Sequence, residues 1–334
     1  MMNKPILGLL LGDASGIGPE LVAKLASSRF LETVCNPVII GDIRQVRYSL
    51  SMLNMNVPLI AIESIKEADW EKGLPVLDTH DQDPTQIQPG VPSIVCGVAV
   101  MNMLKIACEL CMAGKMEGFA FAPFNKAAMK MAGCDHESEH YYLAALTGAK
   151  GPIGEINVVG NLMSVRATSH IPLKDVSKHL TIEKILSAME LGYNAVRNTG
   201  VKYPRLGIAA LNPHGGEDGR CGREEIDVIL PAIEIANKRG YGTIGPFPSD
   251  IVFIKAFAGD FDCVVTMYHD QGQIALKLSG FDKGVTIAGG QPFPIATCAH
   301  GTAYEIVGKG IAHTTALENA VKLTAKMAVA RRIL

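Results

Sequence analysis

Pro5-Ile-Leu-Gly-Leu-Leu-Leu-Gly-Asp-Ala-Ser-Gly-Ile-Gly-Pro-Glu20 is the stretch whose reading decides the fold. The apolar run Pro5–Leu11 ends at Gly12-Asp13 and is short, so it reads as a buried strand. Gly16 and Gly18 serve a tight turn or line a cleft. Pro19–Ala26 then reads as a helix with proline near its first position. Strand-like and helix-like patterns keep alternating beyond it. Pro37–Ile40 is a second strand, stopped by Gly41-Asp42. The polar stretch Asp78–Pro92 interrupts the pattern. Ser93–Ala113 is a long helix with Gly114 as its stop. Gly118–Ala122 is a strand that delivers Pro123-Phe-Asn-Lys126. Ile156–Ala167 reads as two strands around Gly160-Asn161, a hairpin whose dipeptide order is not the favoured Asn-Gly. Thr181–Val196, Glu224–Arg239 and Ala316–Ile333 read as helices. Such alternation argues for an α/β protein with a largely parallel sheet.

The chain has 334 residues, nearly half of them hydrophobic, which suits two lobes rather than one small core. Its net charge is −2 with both signs interspersed. With no basic stripe and no block of like charge, nucleic acid is not the expected partner. Lys4 and the apolar run behind it faintly resemble a signal peptide, but no small-residue cleavage site follows. The expectation is a cytoplasmic protein with no membrane-spanning segment. Eight scattered cysteines fit free thiols. Cys108-Glu-Leu-Cys111 has no partner pair and lies late in a helical pattern, so packing is favoured over zinc or redox chemistry.

Three histidines carry the strongest chemical signal. His170, His214 and His269 each follow a strand-like run: Val158–Ala167, Leu206–Leu211 and Cys263–Tyr268. Ligands in open α/β sheets bind at the carboxyl ends of strands. Three imidazoles gathered there would make an open divalent-metal site able to polarise a substrate oxygen. A lone histidine in such a place is better read as a hydrogen-bonded turn residue. Three in matching contexts shift the balance. Gly215-Gly216 after His214 allows close backbone approach, and Asp270 could fix the tautomer of His269. Asp250, in Gly245-Pro-Phe-Pro-Ser-Asp250, is either a helix cap or a carboxylate beside the metal. Lys126 is either a solvated surface lysine or a base. Gly12–Glu20 matches neither a Walker loop nor the dinucleotide fingerprint.

Taken together, these motifs resemble the 4-hydroxythreonine-4-phosphate dehydrogenase family nearly end to end. Asn212-Pro-His-Gly-Gly-Glu217 and Tyr268-His-Asp-Gln-Gly272 are the most specific parts. The resemblance implies a two-lobed α/β/α fold like that of isopropylmalate and isocitrate dehydrogenases, not the Rossmann type. It implies that His170, His214 and His269 bind zinc, magnesium, manganese or cobalt, with one histidine supplied across an obligate homodimer. It also implies NAD or NADP as hydride acceptor, held by Thr297, His300, Gly301 and Thr302 in the loop running to Ala312. Lobe boundaries are expected at 1–124 with 278–334, and at 125–277.

Departures from the family pattern bear on the substrate. Of three phosphate-contacting positions, Lys277 is kept, while Thr286 and Ile295 replace asparagine and arginine. His140 and Tyr141 lie in the family's substrate segment. Losing the arginine removes a bidentate phosphate partner. The expectation drawn is a metal-dependent, NAD(P)-linked, decarboxylating dehydrogenase of a small non-phosphorylated hydroxy acid, such as a cis-dihydrodiol carboxylate. The alternatives are 4-hydroxythreonine-4-phosphate dehydrogenase itself and a metal- and metabolite-binding protein without turnover.

Overall fold

A computed structural model describes residues 4–333. The α/β expectation holds. The chain divides into two compact units, Met1–Lys150 with Val285–Leu334, and Gly151–Gly284. Residues 125–150 thus go with the first unit, and 278–284 with the second.

In the first unit the early strands are β1 (Ile6–Leu10), β2 (Asn36–Gly41), β3 (Leu59–Ile62), β4 (Leu74–Asp78) and β5 (Gly118–Phe121). The returning chain adds β11 (Val285–Gly289) and β12 (Ile295–Cys298). Their order is β3-β4-β2-β1-β5-β12-β11. All neighbours are parallel except the β11–β12 pair. Leu9, Leu10, Ile39, Ile40 and Phe119 are fully buried, as strands covered on both faces require.

Local chemistry accounts for the helix ends. Asp42 caps the helix Ile43–Met52 by accepting from the Arg44 N–H at 2.9 Å. It also accepts from the Arg44 guanidinium at 2.6 Å and the Gln82 N–H at 2.9 Å. Burial alone would raise its pKa. The bonds from Arg44 and Gln82 outweigh that and hold the carboxyl below its ordinary value. A carboxyl lowered in the folded state adds stability above its unfolded pKa, and loses it as pH falls through the folded value. Asp42→Asn is therefore expected to cost about 1–2 kcal/mol at neutral pH. In strong acid the variant and wild type should unfold at the same urea concentration. A gap independent of pH would show that the charge plays no part.

Ser93 caps the helix Ile94–Met112 by accepting from the Cys96 N–H, and Gly114 follows at φ 67°. This helix is long and apolar enough to cross a membrane by length and composition, contrary to expectation. One face is nonetheless buried in the first unit, through Cys96, Val100, Met103, Leu104 and Ala107. At Gly97 it approaches the helix Lys126–Met131 so closely that a Cβ would lie 2.0 Å from the Ala128 carbonyl. Cys108 and Cys111 are buried, and burial pushes the Cys108 thiol up to about 12, as packing residues would show.

The second unit contains β6 (Gly154–Val159), β7 (Leu162–Arg166), β8 (Leu206–Ala209), β9 (Thr243–Phe247) and β10 (Cys263–Thr266). Their order is β6-β7-β10-β8-β9. β7, β10, β8 and β9 run parallel, and β6 pairs antiparallel with β7. The Gly160-Asn161 hairpin is present. Gly160 has φ 60° and Asn161 is not among the positive-φ residues, the pattern of a II′ turn. That turn wants glycine first, which explains the order. Leu162, Val252, Phe253, Phe261, Val264 and Leu276 form the core.

Candidate active site

β7, β10 and β8 are adjacent and parallel, so their carboxyl ends open on one edge of the second unit's sheet. The segments leaving those ends carry His170, His269 and His214. Thr168 ties the first two together. Its N–H and hydroxyl both donate to the Met267 carbonyl, at 3.1 and 2.7 Å. Gln271 ties the second to the third. Its Oε1 accepts from the Met267 N–H at 2.6 Å and its Nε2 donates to the Ala210 carbonyl at 2.6 Å.

His170 and His269 have ring centroids 5.9 Å apart and line one cavity of about 480 Å³, with Thr168, Ser169, Tyr268 and Asp270. Nδ1 of His269 lies 2.7 Å from Asp270 Oδ1. That contact occupies Nδ1 and leaves Nε2 as the ring nitrogen turned towards a ligand. His214 is exposed at φ 52°, in a left-handed run from His214 to Gly219. Among the described residues, the ring nitrogens of all three histidines do not lie within 4.8 Å of one another. Two approaching imidazoles, one held by Asp270, on a polar rim of neighbouring strand ends fit a borderline divalent cation.

Asp250 lies in the first turn of the helix Ser249–Phe257, exposed, where the helix dipole favours a carboxylate. The helix cap is Pro248, so the capping alternative weighed for Asp250 does not apply. Lys277 is exposed on the helix His269–Gly280.

In the first unit, Lys126 opens a helix capped by Asn125 and pairs with Glu139 at 3.2 Å. Both line a cavity of about 420 Å³ with Lys130, Cys134 and His136. The helix Glu139–Thr147 carries His140, 2% exposed, and Tyr141, 48% exposed. Thr147 donates to the Gln291 side chain at 2.9 Å. Thr286 is buried on β11, and Thr297 on β12 donates to the Phe121 carbonyl at 2.8 Å. Beyond β12, His300 is half-buried, Gly301 is open to solvent and the Thr302 carbonyl accepts from the Ile17 N–H at 3.0 Å.

Sequence reasoning passed over Asp13. Fully buried, it accepts from Ser15 and from the Tyr304 hydroxyl at 3.0 Å, joining the glycine-rich loop to the loop after β12. Burial pushes the Tyr304 phenol up to about 12. Glu225 was also passed over: a buried carboxylate has no signature in periodicity.

Residues 33–324 match the family described as pyridoxal phosphate biosynthetic protein PdxA. A Rhizobium meliloti protein, named as a candidate 4-hydroxythreonine-4-phosphate dehydrogenase, is 40% identical over 99% of this chain and 96% of its own length. The D-threonate 4-phosphate dehydrogenase of Cupriavidus necator is 34% identical, covering 98% of each chain. The crystal structure of a Klebsiella pneumoniae 4-hydroxythreonine-4-phosphate dehydrogenase shares 30% identity at TM-score 0.87, over 98% of this chain and 100% of that one.

These relatives overturn the expectation of a decarboxylating dehydrogenase acting on a non-phosphorylated hydroxy acid, because their names specify dehydrogenases of 4-phosphorylated acids. A Burkholderia xenovorans terephthalate 1,2-cis-dihydrodiol dehydrogenase, at 24% identity and TM-score 0.68, shares the fold alone. The expectation had leaned on Ile295 as an apolar pocket wall. Ile295 is fully buried in β12, paired in register with Phe119, and offers no surface to a ligand. Its side chain reports on sheet packing rather than on substrate. The homologues are dehydrogenases, and this oxidoreductase chain belongs to the PdxA family.

Proposed function

We propose that this chain is a metal-dependent, NAD(P)-linked dehydrogenase of a phosphorylated hydroxy acid of the 4-hydroxythreonine 4-phosphate or D-threonate 4-phosphate type. Whole-length similarity to relatives carrying those names is the observation that carries the reading. The strand-end histidines support it. When bound, a divalent cation supplies Lewis acidity at the substrate hydroxyl, and the nicotinamide dinucleotide supplies a hydride acceptor.

The chain's own residues do the rest. His170, His214 and His269 hold the cation, with the set shared across a homodimer. Asp270 occupies the His269 Nδ1 and leaves Nε2 for the cation. Lys277 supplies a positive charge for the substrate phosphate, and Thr286, His140 and Tyr141 are the further residues proposed to contact the substrate. Lys126 and Asp250 are the groups proposed to take the hydroxyl proton, each testable by the pH–rate profile of its alanine variant. Thr297, His300, Gly301 and Thr302 contact the dinucleotide. The cytoplasm supplies such cofactors.

The test is NAD(P)+ reduction with 4-phosphohydroxythreonine, D-threonate 4-phosphate and the two dephosphorylated acids. The expected result is turnover of at least one phosphorylated acid at a kcat/KM at least about 100-fold above its dephosphorylated form, the scale of one lost charged partner. Equal turnover of both forms would remove phosphate from the recognition.

A further inference from the structure

The segment carrying His214 is under backbone strain. Its φ is 52° at His214, 45° at Glu217 and 54° at Asp218, with glycines at 215, 216 and 219 also positive. Each non-glycine residue in that region costs roughly 1–2 kcal/mol, so a neighbouring group must hold the run in place.

Glu225 is that group. Its side chain is buried. Oε1 accepts the N–H groups of Leu211 and Asn212 at 2.8 and 2.7 Å, and Oε2 accepts the Asn212 side-chain amide at 2.9 Å. The left-handed run folds tightly over it. A Cβ on Gly216 would lie 2.7 Å from Glu225 Oε2. Glu224, the preceding residue, accepts the same Asn212 amide at 2.7 Å. Its other oxygen accepts the Ser177 hydroxyl. Ser177 sits in the short helix Val176–His179, downstream of His170. The bonds from Ser177 and Asn212 hold the Glu224 carboxyl below its ordinary range, so it is an anion at neutral pH.

We propose that Glu224 and Glu225 form a positioning pair that locks the His214 turn and ties it to the His170 segment. The segments that carry the two imidazoles are thereby held in a fixed relation before a cation arrives. Glu225 fixes the turn through its backbone, and Glu224 ties it through Ser177 to the segment that follows β7, on the far side of β10. Both act through Asn212 and the backbone before His214, as positioning residues. The inference rests on the reading of His214 as a metal ligand, and extends it to what orients that ligand.

Co2+ alone, added to the full-length protein and followed by its visible absorption, separates the two ideas. Wild type should bind, and His214→Ala should lose affinity. Equal binding by both would remove the ligand reading and this inference with it. With that established, Glu224→Ala should weaken Co2+ by about 10–100-fold, the range for partners that orient a ligand. Its circular dichroism and unfolding temperature should stay close to wild type, because Glu224 is only half-buried. Glu224→Gln, which keeps an acceptor oxygen, should recover most of the affinity. Glu225→Gln should likewise bind better than Glu225→Leu, which strands two backbone donors. If the leucine variant fails to fold, the Glu224 pair of variants still decides. Wild-type Co2+ affinity and spectrum in Glu224→Ala would overturn the proposal.

Discussion

His269→Ala is expected to abolish both cation binding and NAD(P)+ reduction while leaving the apo fold intact. His269 is 40% exposed in its side chain, so the core loses little when the ring goes. Surface substitutions of that kind usually stay within about 0.5 kcal/mol in stability. What disappears is a donor nitrogen that the Asp270 contact leaves free, in a ring centred 5.9 Å from that of His170. Orienting partners of a ligand are worth about 10–100-fold in affinity. Loss of the ligand itself should exceed that range. Isothermal titration with Zn2+ or Co2+, beside a urea titration of the apo protein, checks both halves. Unchanged metal affinity would take His269 out of the site.

The second large effect is on stability. Phe119→Ala should destabilise the first unit by about 3–5 kcal/mol. Phe119 is fully buried in β5, opposite Gly8 of β1 on one side and Ile295 of β12 on the other. Its ring lies 6.4 Å from that of Phe121 and 6.1 Å from that of Phe293, centroid to centroid. Strands on both sides fix the backbone, so the walls cannot close on the void left by truncation. Gly8 offers nothing to fill it, and a larger residue there would already crowd Phe119 Cβ at 3.1 Å. The urea midpoint of the variant measures the loss. A cost below about 1 kcal/mol would mean that the sheet relaxes far more than its pairing suggests.

The α/β architecture was legible because buried parallel strands write themselves as short apolar runs. Pro5–Leu11 and Gly118–Ala122 are strands to within a residue or so. The helix from Ser93 was legible because its cap and its stop are local chemistry. The histidines stood out because each follows such a run, and their parent strands β7, β10 and β8 are neighbours. The substrate was misread for a physical reason. A residue type says what a side chain is made of, whereas Ile295 needed the sheet to show that it faces the core. Glu225 escaped notice for the converse reason. In sequence it is one acid among several, and only folding shows it satisfying the donors of Leu211 and Asn212. Lys126, read as a free base or a surface lysine, has Glu139 for a partner that lies on another helix.

The placement of β12 between β5 and β11 has a consequence for biosynthesis. On an emerging chain, β5 is finished early, yet the strand that pairs with its far edge lies beyond the whole of Gly151–Gly284. That edge presents unpaired amides and carbonyls throughout the interval, an invitation to association with other nascent chains. The contiguous insert can complete itself first, whereas its host must wait for the returning segment that begins at Val285. Chaperone demand and truncation sensitivity should therefore concentrate in that returning segment, where the antiparallel β11–β12 pair and the helix Thr315–Arg331 arrive together.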